Sequence, residues 1–144
     1  MIMGRITAIR KFATTAIGEK VVIPNERKDW GMCLNDRFPR LQIPSDTQKN
    51  DIEDKRFRRF FISLFPSGRG FANVTISILH ELGHWATRKE VNWIEYWIEA
   101  ENTYGWDYFN LKAERMATDW AINWLSDPEN RRVAKAFEVE YFGH

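Results

Sequence analysis

Ile78-Leu79-His80-Glu81-Leu82-Gly83-His84-Trp85-Ala86, ILHELGHWA, decides how the rest of the chain is read. On a helix, residues four apart lie one turn apart on the same face, so the imidazoles of His80 and His84 can reach a single ion. Glu81 is one step round from His80. It flanks the ion rather than ligating it, where its carboxylate can take a proton from a metal-bound water. The surrounding Ile76, Ile78, Leu79, Leu82 and Trp85 give the segment an apolar helix's character, and two of the chain's three histidines are used here. The bland alternative is a pair of histidines on a buried helix face with no metal.

A catalytic zinc needs three protein ligands and one open position. Cys33 is the only cysteine, so further ligands must be His or carboxylate. The remaining histidine, His144, is the last residue given, where fraying is expected. Glu114 is the strongest carboxylate. It sits in LKAERMATDWAINWL (111–125), whose Ala113, Ala117 and Ala121 would let that helix approach the HELGH helix closely. Asp119 is on the same helix but off that face. Glu99, Glu101 and Asp107 lie nearer in sequence, in a less regular segment; a solvated carboxylate is the plain alternative for Glu114.

Working outward, 73–88 reads as one helix, capped by Asn73 or Thr75 and ending in Arg88-Lys89, which suit a helix C-terminus. Residues 91–109 are crowded with aromatics and broken near Gly105. Trp93, Tyr96 and Trp97 at helical spacing read as a core stripe, the alternative being the wall of a substrate cleft. Ser126 or Asp127 before Pro128 starts a last helix carrying Val133, Ala136, Phe137 and Tyr141. In the first half, ITAIRKF, EKVVIPN and RLQIP (40–44) read as short strands. SDTQKND then opens an amphipathic helix that ends near Phe65, ahead of Pro66 and the SGRG turn. The fold expected is therefore α+β, one domain over 1–144, with a small, mostly antiparallel sheet packed on the HELGH helix and the Glu114 helix.

The composition fits a globular chain: 44% hydrophobic, 28% charged and 15% aromatic, with net charge +1. Residues 1–72 hold 14 Lys/Arg against 8 Asp/Glu, a net +6, whereas residues 73–144 hold 7 against 12, a net −5. Lys55, Arg56, Arg58 and Arg59 supply much of the excess, but Phe57, Phe60, Phe61 and Leu64 interleave with them at helical spacing. That is a solvated helix face rather than a nucleic-acid footprint. No apolar run is long enough for a signal peptide or a membrane span, so a cytoplasmic protein is expected.

HELGH followed by Glu114-Arg115-Met116-Ala117-Thr118-Asp119-Trp120-Ala121 resembles the ImmA/IrrE family of zincin-like metallopeptidases, over roughly residues 73–126. That family carries a second helix of the form E-x-x-A-N-x-F-A-x-x-L-L. Here Glu114, Ala117 and Ala121 match, Trp120 replaces the aromatic, Thr118 replaces the Asn, and Trp124-Leu125 stands at the Leu pair. The resemblance implies a zincin-like fold, Zn²⁺ held by His80, His84 and Glu114, and Glu81 as catalytic base. It implies a zinc peptidase acting on a protein or peptide, such as a repressor, and encoded with mobile elements. HELGHW followed by E-x-x-A is also similar to the metallopeptidase domain of plasmid antirestriction proteins. The rival expectation is a zincin-shaped module that binds a protein partner without cutting it.

Overall fold

The computed structural model describes residues 2–25, 29–34, 37–44 and 55–143, and these are mostly helical. In chain order they form α1 (Ile2–Ile17), β1 (Gly31–Cys33), β2 (Arg40–Gln42), α2 (Lys55–Leu64), α3 (Asn73–Thr87), α4 (Trp93–Ala100), α5 (Trp106–Phe109), α6 (Lys112–Leu125) and α7 (Pro128–Phe142). Single 3₁₀ turns at Pro66–Gly70 and Arg88–Glu90 join α2 to α3 and α3 to α4. No described helix is long and apolar enough to cross a membrane.

The expected strand ITAIRKF is a correction: it lies inside α1. Its β-branched residues argue for a strand, but Ile6, Ile9, Phe12 and Ala13 recur at spacings of three and four, and all are buried. Burial of that stripe outweighs local propensity. EKVVIPN contributes only a parallel bridge at Val22, whose N–H donates to Pro39 O at 2.9 Å and whose carbonyl accepts from Leu41 N at 2.8 Å. RLQIP does carry a strand, β2, which pairs antiparallel with β1 in the register Met32↔Leu41. Among the described residues the sheet expected from the first half is thus two strands of three residues, with β1 at its edge, lying against α3.

Four helices close a ring: α1 packs on α3, α3 on α6, α6 on α7, and α7 back on α1. The α3–α6 contact is the most extensive. On α6 the buried residues are Ala113, Glu114, Ala117, Thr118, Ala121 and Leu125, the small-residue stripe expected to face the HELGH helix. Between α1 and α7, Phe12 stacks on Phe137 with centroids 4.4 Å apart, and Trp124 meets Phe12 edge-on at 5.7 Å. The stripe expected on α7 holds at Phe137 and Tyr141, which are buried, and at Val133, which packs against the core; Ala136 is exposed and Ala134 is buried in its stead.

The amphipathic helix expected after SDTQKND is described only from Lys55; residues 45–54 lie outside the described ones. Phe57, Phe60 and Phe61 face the core, whereas Lys55, Arg56 and Arg59 are solvated as expected. Arg58 differs. It donates to Phe71 O at 2.6 Å, to Asn73 Oδ1 at 2.9 Å and to Arg69 O at 3.2 Å, tying α2 to the start of α3. Asn73 is therefore used by Arg58 rather than as a cap, and Ala72 occupies the N-cap position.

Candidate metal centre

His80 and His84 project from successive turns of α3, and Glu114 from the first turn of α6. One carboxylate oxygen of Glu114, Oε1, lies 2.9 Å from His80 Nε2 and 3.2 Å from His84 Nε2. All three side chains are buried, with residue exposures of 8%, 9% and 5% for His80, His84 and Glu114. In a tetrahedral site with bonds of about 2.0–2.2 Å, neighbouring ligand atoms stand about 3.3–3.6 Å apart. Glu114 Oε1 stands near that spacing from both nitrogens already, and two imidazole nitrogens with one carboxylate oxygen form a donor set that suits a divalent ion.

The rings are held from behind. His80 Nδ1 is 3.1 Å from Thr118 Oγ1. When Nδ1–H donates to that hydroxyl, the Nε2 lone pair is free to ligate, which is how an outer hydrogen bond fixes a metal-binding tautomer. Phe57 meets His80 edge-on with centroids 4.7 Å apart, and Trp93 stands 6.3 Å from His84. His84 Nδ1 is buried with no hydrogen-bond partner among the described residues.

Glu114 is also held at its other oxygen. Oε2 accepts from Tyr96 Oη at 2.5 Å and from Tyr108 Oη at 3.3 Å, and the two hydroxyls are 2.9 Å apart. These tyrosines were not legible in the sequence as partners of Glu114. Their segment reads as an aromatic block, and only Gly105, with φ 62, marks the break that turns Tyr108 back toward Tyr96.

Electrostatics follow from this packing. Burial alone would raise the Glu114 carboxyl, but hydrogen bonds and charge from His80 and His84 outweigh it and hold the carboxyl well below the usual range. Burial pulls His84 down, yet the hydrogen bond and charge of Glu114, with the charge of Glu81, leave it raised. Burial raises both tyrosines further above the phenol range, and the charge of Glu114 adds to it, so both hydroxyls stay protonated donors.

Glu81 is partly buried, and one of its carboxylate oxygens lies within 4.8 Å of a ring nitrogen of each histidine. These three residues form a group that can hold a metal ion. Burial raises the Glu81 carboxyl; His80 and His84 pull it partly back, and Glu114 pushes it up. A carboxylate so placed holds a proton more readily than one in water, which suits a general base.

The other candidates lie elsewhere. Glu99, Glu101 and Asp107 are exposed, Asp119 is exposed and bonded to Arg115 at 3.1 Å, and His144 is outside the described residues. The core reading of the aromatic stripe is corrected: Tyr96 is buried against the centre, but Trp97 is 65% exposed, and Trp93 and Trp97 wall a cleft opposite Trp30 and Met32. On the His80 side the cleft continues past Phe57 and Phe109.

No protein-family model, curated protein or solved structure matches this chain.

Proposed function

We propose that the chain is a zinc peptidase of zincin-like fold that hydrolyses a peptide bond in a protein or peptide. One observation carries the reading: His80 Nε2, His84 Nε2 and Glu114 Oε1 converge at the foot of an open cleft, with the Glu81 carboxylate beside them. The HELGH motif and its resemblance to the ImmA/IrrE family support zinc as the ion and a regulatory protein such as a repressor as the substrate. A repressor substrate puts the proposed site of action in the cytoplasm.

His80, His84 and Glu114 would hold the ion. When bound, zinc supplies Lewis acidity toward a water and a scissile carbonyl. Glu81 takes the proton of the attacking water and returns it to the leaving amine. Tyr96 and Tyr108 keep the Glu114 carboxylate oriented toward the imidazoles. The edge of β1 beside Glu81, unpaired among the described residues, offers backbone groups to an extended substrate.

A second reading keeps the zincin-like shape without catalysis. It is favoured by the exposed apolar side chains of α4, Ile94 at 76% and Ile98 at 63%, which suit a protein partner. Glu81→Gln separates the two. Peptide hydrolysis by the zinc-loaded protein should fall at least about a hundredfold while metal stays bound. Hydrolysis that survives the change, or its absence from the unmodified protein, removes the peptidase reading.

A further inference from the structure

The cleft over the candidate centre is chemically different at its two ends. Beyond His80 it is lined by the rings of Phe57 and Phe109 and by the Ser77 hydroxyl, an aromatic end with no cation. Beyond His84 it opens into a hollow of about 520 Å³ bounded by β1 and its following residue on one side and by Arg88, Lys89, Trp93 and Trp97 on the other. Among the described residues, no acidic side chain lines this second end. Met32, Leu34, Trp93 and Trp97 line both this hollow and the cleft over the metal residues, so the two are continuous.

The two cations at that end are presented differently. Arg88 is anchored: Nη1 donates to Trp85 O at 2.7 Å and the guanidinium lies 3.6 Å over the Trp85 ring. Lys89 is exposed, and no carboxylate among the described residues pairs with either cation. A fixed guanidinium and an uncompensated ammonium beside two indole faces form a site for a carboxylate on a short apolar stem. β1 is flanked by Trp30, beside the aromatic end, and by Leu34, beside the cationic one. An extended segment paired with its edge would cross the metal residues between the two.

We propose that the substrate is an extended peptide segment with a large apolar side chain on one side of the scissile bond and an acidic side chain on the other, the acidic one bound by Lys89 and Arg88. This rests on the peptidase reading and narrows it to a substrate class.

The test uses a random decapeptide pool with the full-length, zinc-loaded Glu81→Gln protein, which binds without turnover, and with the same protein carrying Lys89→Glu. Bound peptides should be enriched about fivefold in Asp and Glu flanking a Leu, Ile or Phe, and less so as salt is raised. With Lys89→Glu the acidic enrichment should be lost, because the new carboxylate offsets the charge of Arg88. Peptides captured without acidic preference, or with the same preference in both proteins, overturn the inference and leave the peptidase reading intact. A pool from which neither protein captures any peptide overturns both.

Discussion

Gly83 of α3 and Ala117 of α6 meet backbone to backbone: a Cβ on Gly83 would stand 2.3 Å from the Ala117 carbonyl oxygen and 2.8 Å from its Cα. Real side chains do not occupy such distances. This contact sets how near the Glu114 helix comes to the HELGH helix, and so whether one carboxylate can reach both imidazoles. The fourth position of the motif is small because a helix lies against it.

Gly83→Ala should therefore act on fold and site together. The added methyl must push α6 outward, an overpacking that costs about 3 kcal/mol, the upper end of the usual range, because the obstacle is backbone rather than a movable side chain. Chemical denaturation should show that loss, and zinc affinity should fall with it. A variant that keeps wild-type stability would contradict the packing described.

Tyr96→Phe should separate orientation from ligation. Removing the hydroxyl leaves Glu114 in place but its Oε2 with only the longer bond from Tyr108, and outer partners of this kind are worth about 10- to 100-fold in metal affinity. Competition with a chelator should show a loss in that range, with the far-ultraviolet circular dichroism unchanged. Tyr108→Phe, whose hydroxyl is 3.3 Å from the same oxygen, should lose less.

Glu138 of α7 caps α3 from a distance in sequence. Its Oε2 accepts from the Ala72 backbone N–H at 2.8 Å and from Thr75 Oγ1 at 2.6 Å, at a helix N-terminus that lacks a cap of its own. Glu138→Ala should lower stability by about 1–2 kcal/mol, measured by thermal unfolding, while metal stoichiometry stays as in the unmodified protein.

The legible parts of the sequence are those whose signal is local. His80 and His84 declare themselves by spacing alone, and Glu114 by the alanines at one-turn intervals behind it. The breaks at Pro66 and Gly105, and the helix start at Asp127-Pro128, follow from backbone chemistry. Asp127 does accept from Glu129 N at 2.8 Å.

What could not be read depends on partners far along the chain. Ile6, Thr7 and Ile9 look like a strand until α7, more than a hundred residues on, supplies a surface for the helical stripe to bury against. β1 is three residues of no marked β character, defined by its pairing with β2 and its place against α3. Tyr96 and Trp97 are neighbours with opposite fates, one buried on Glu114 and one in solvent, because the stripe on α4 covers a cleft instead of filling a core. Neither Thr118 nor Glu138 signals from sequence that it will serve α3.

The central claim is that two imidazoles of α3 and one carboxylate of α6 form a single metal site. It is tested most directly by elemental analysis of the purified, zinc-loaded protein beside its Glu114→Ala and Glu81→Gln variants. One zinc per chain is expected in the unmodified protein and in Glu81→Gln, with the metal lost from Glu114→Ala. A protein that takes up no metal, or a Glu114→Ala variant that holds it as tightly as the original, would contradict it.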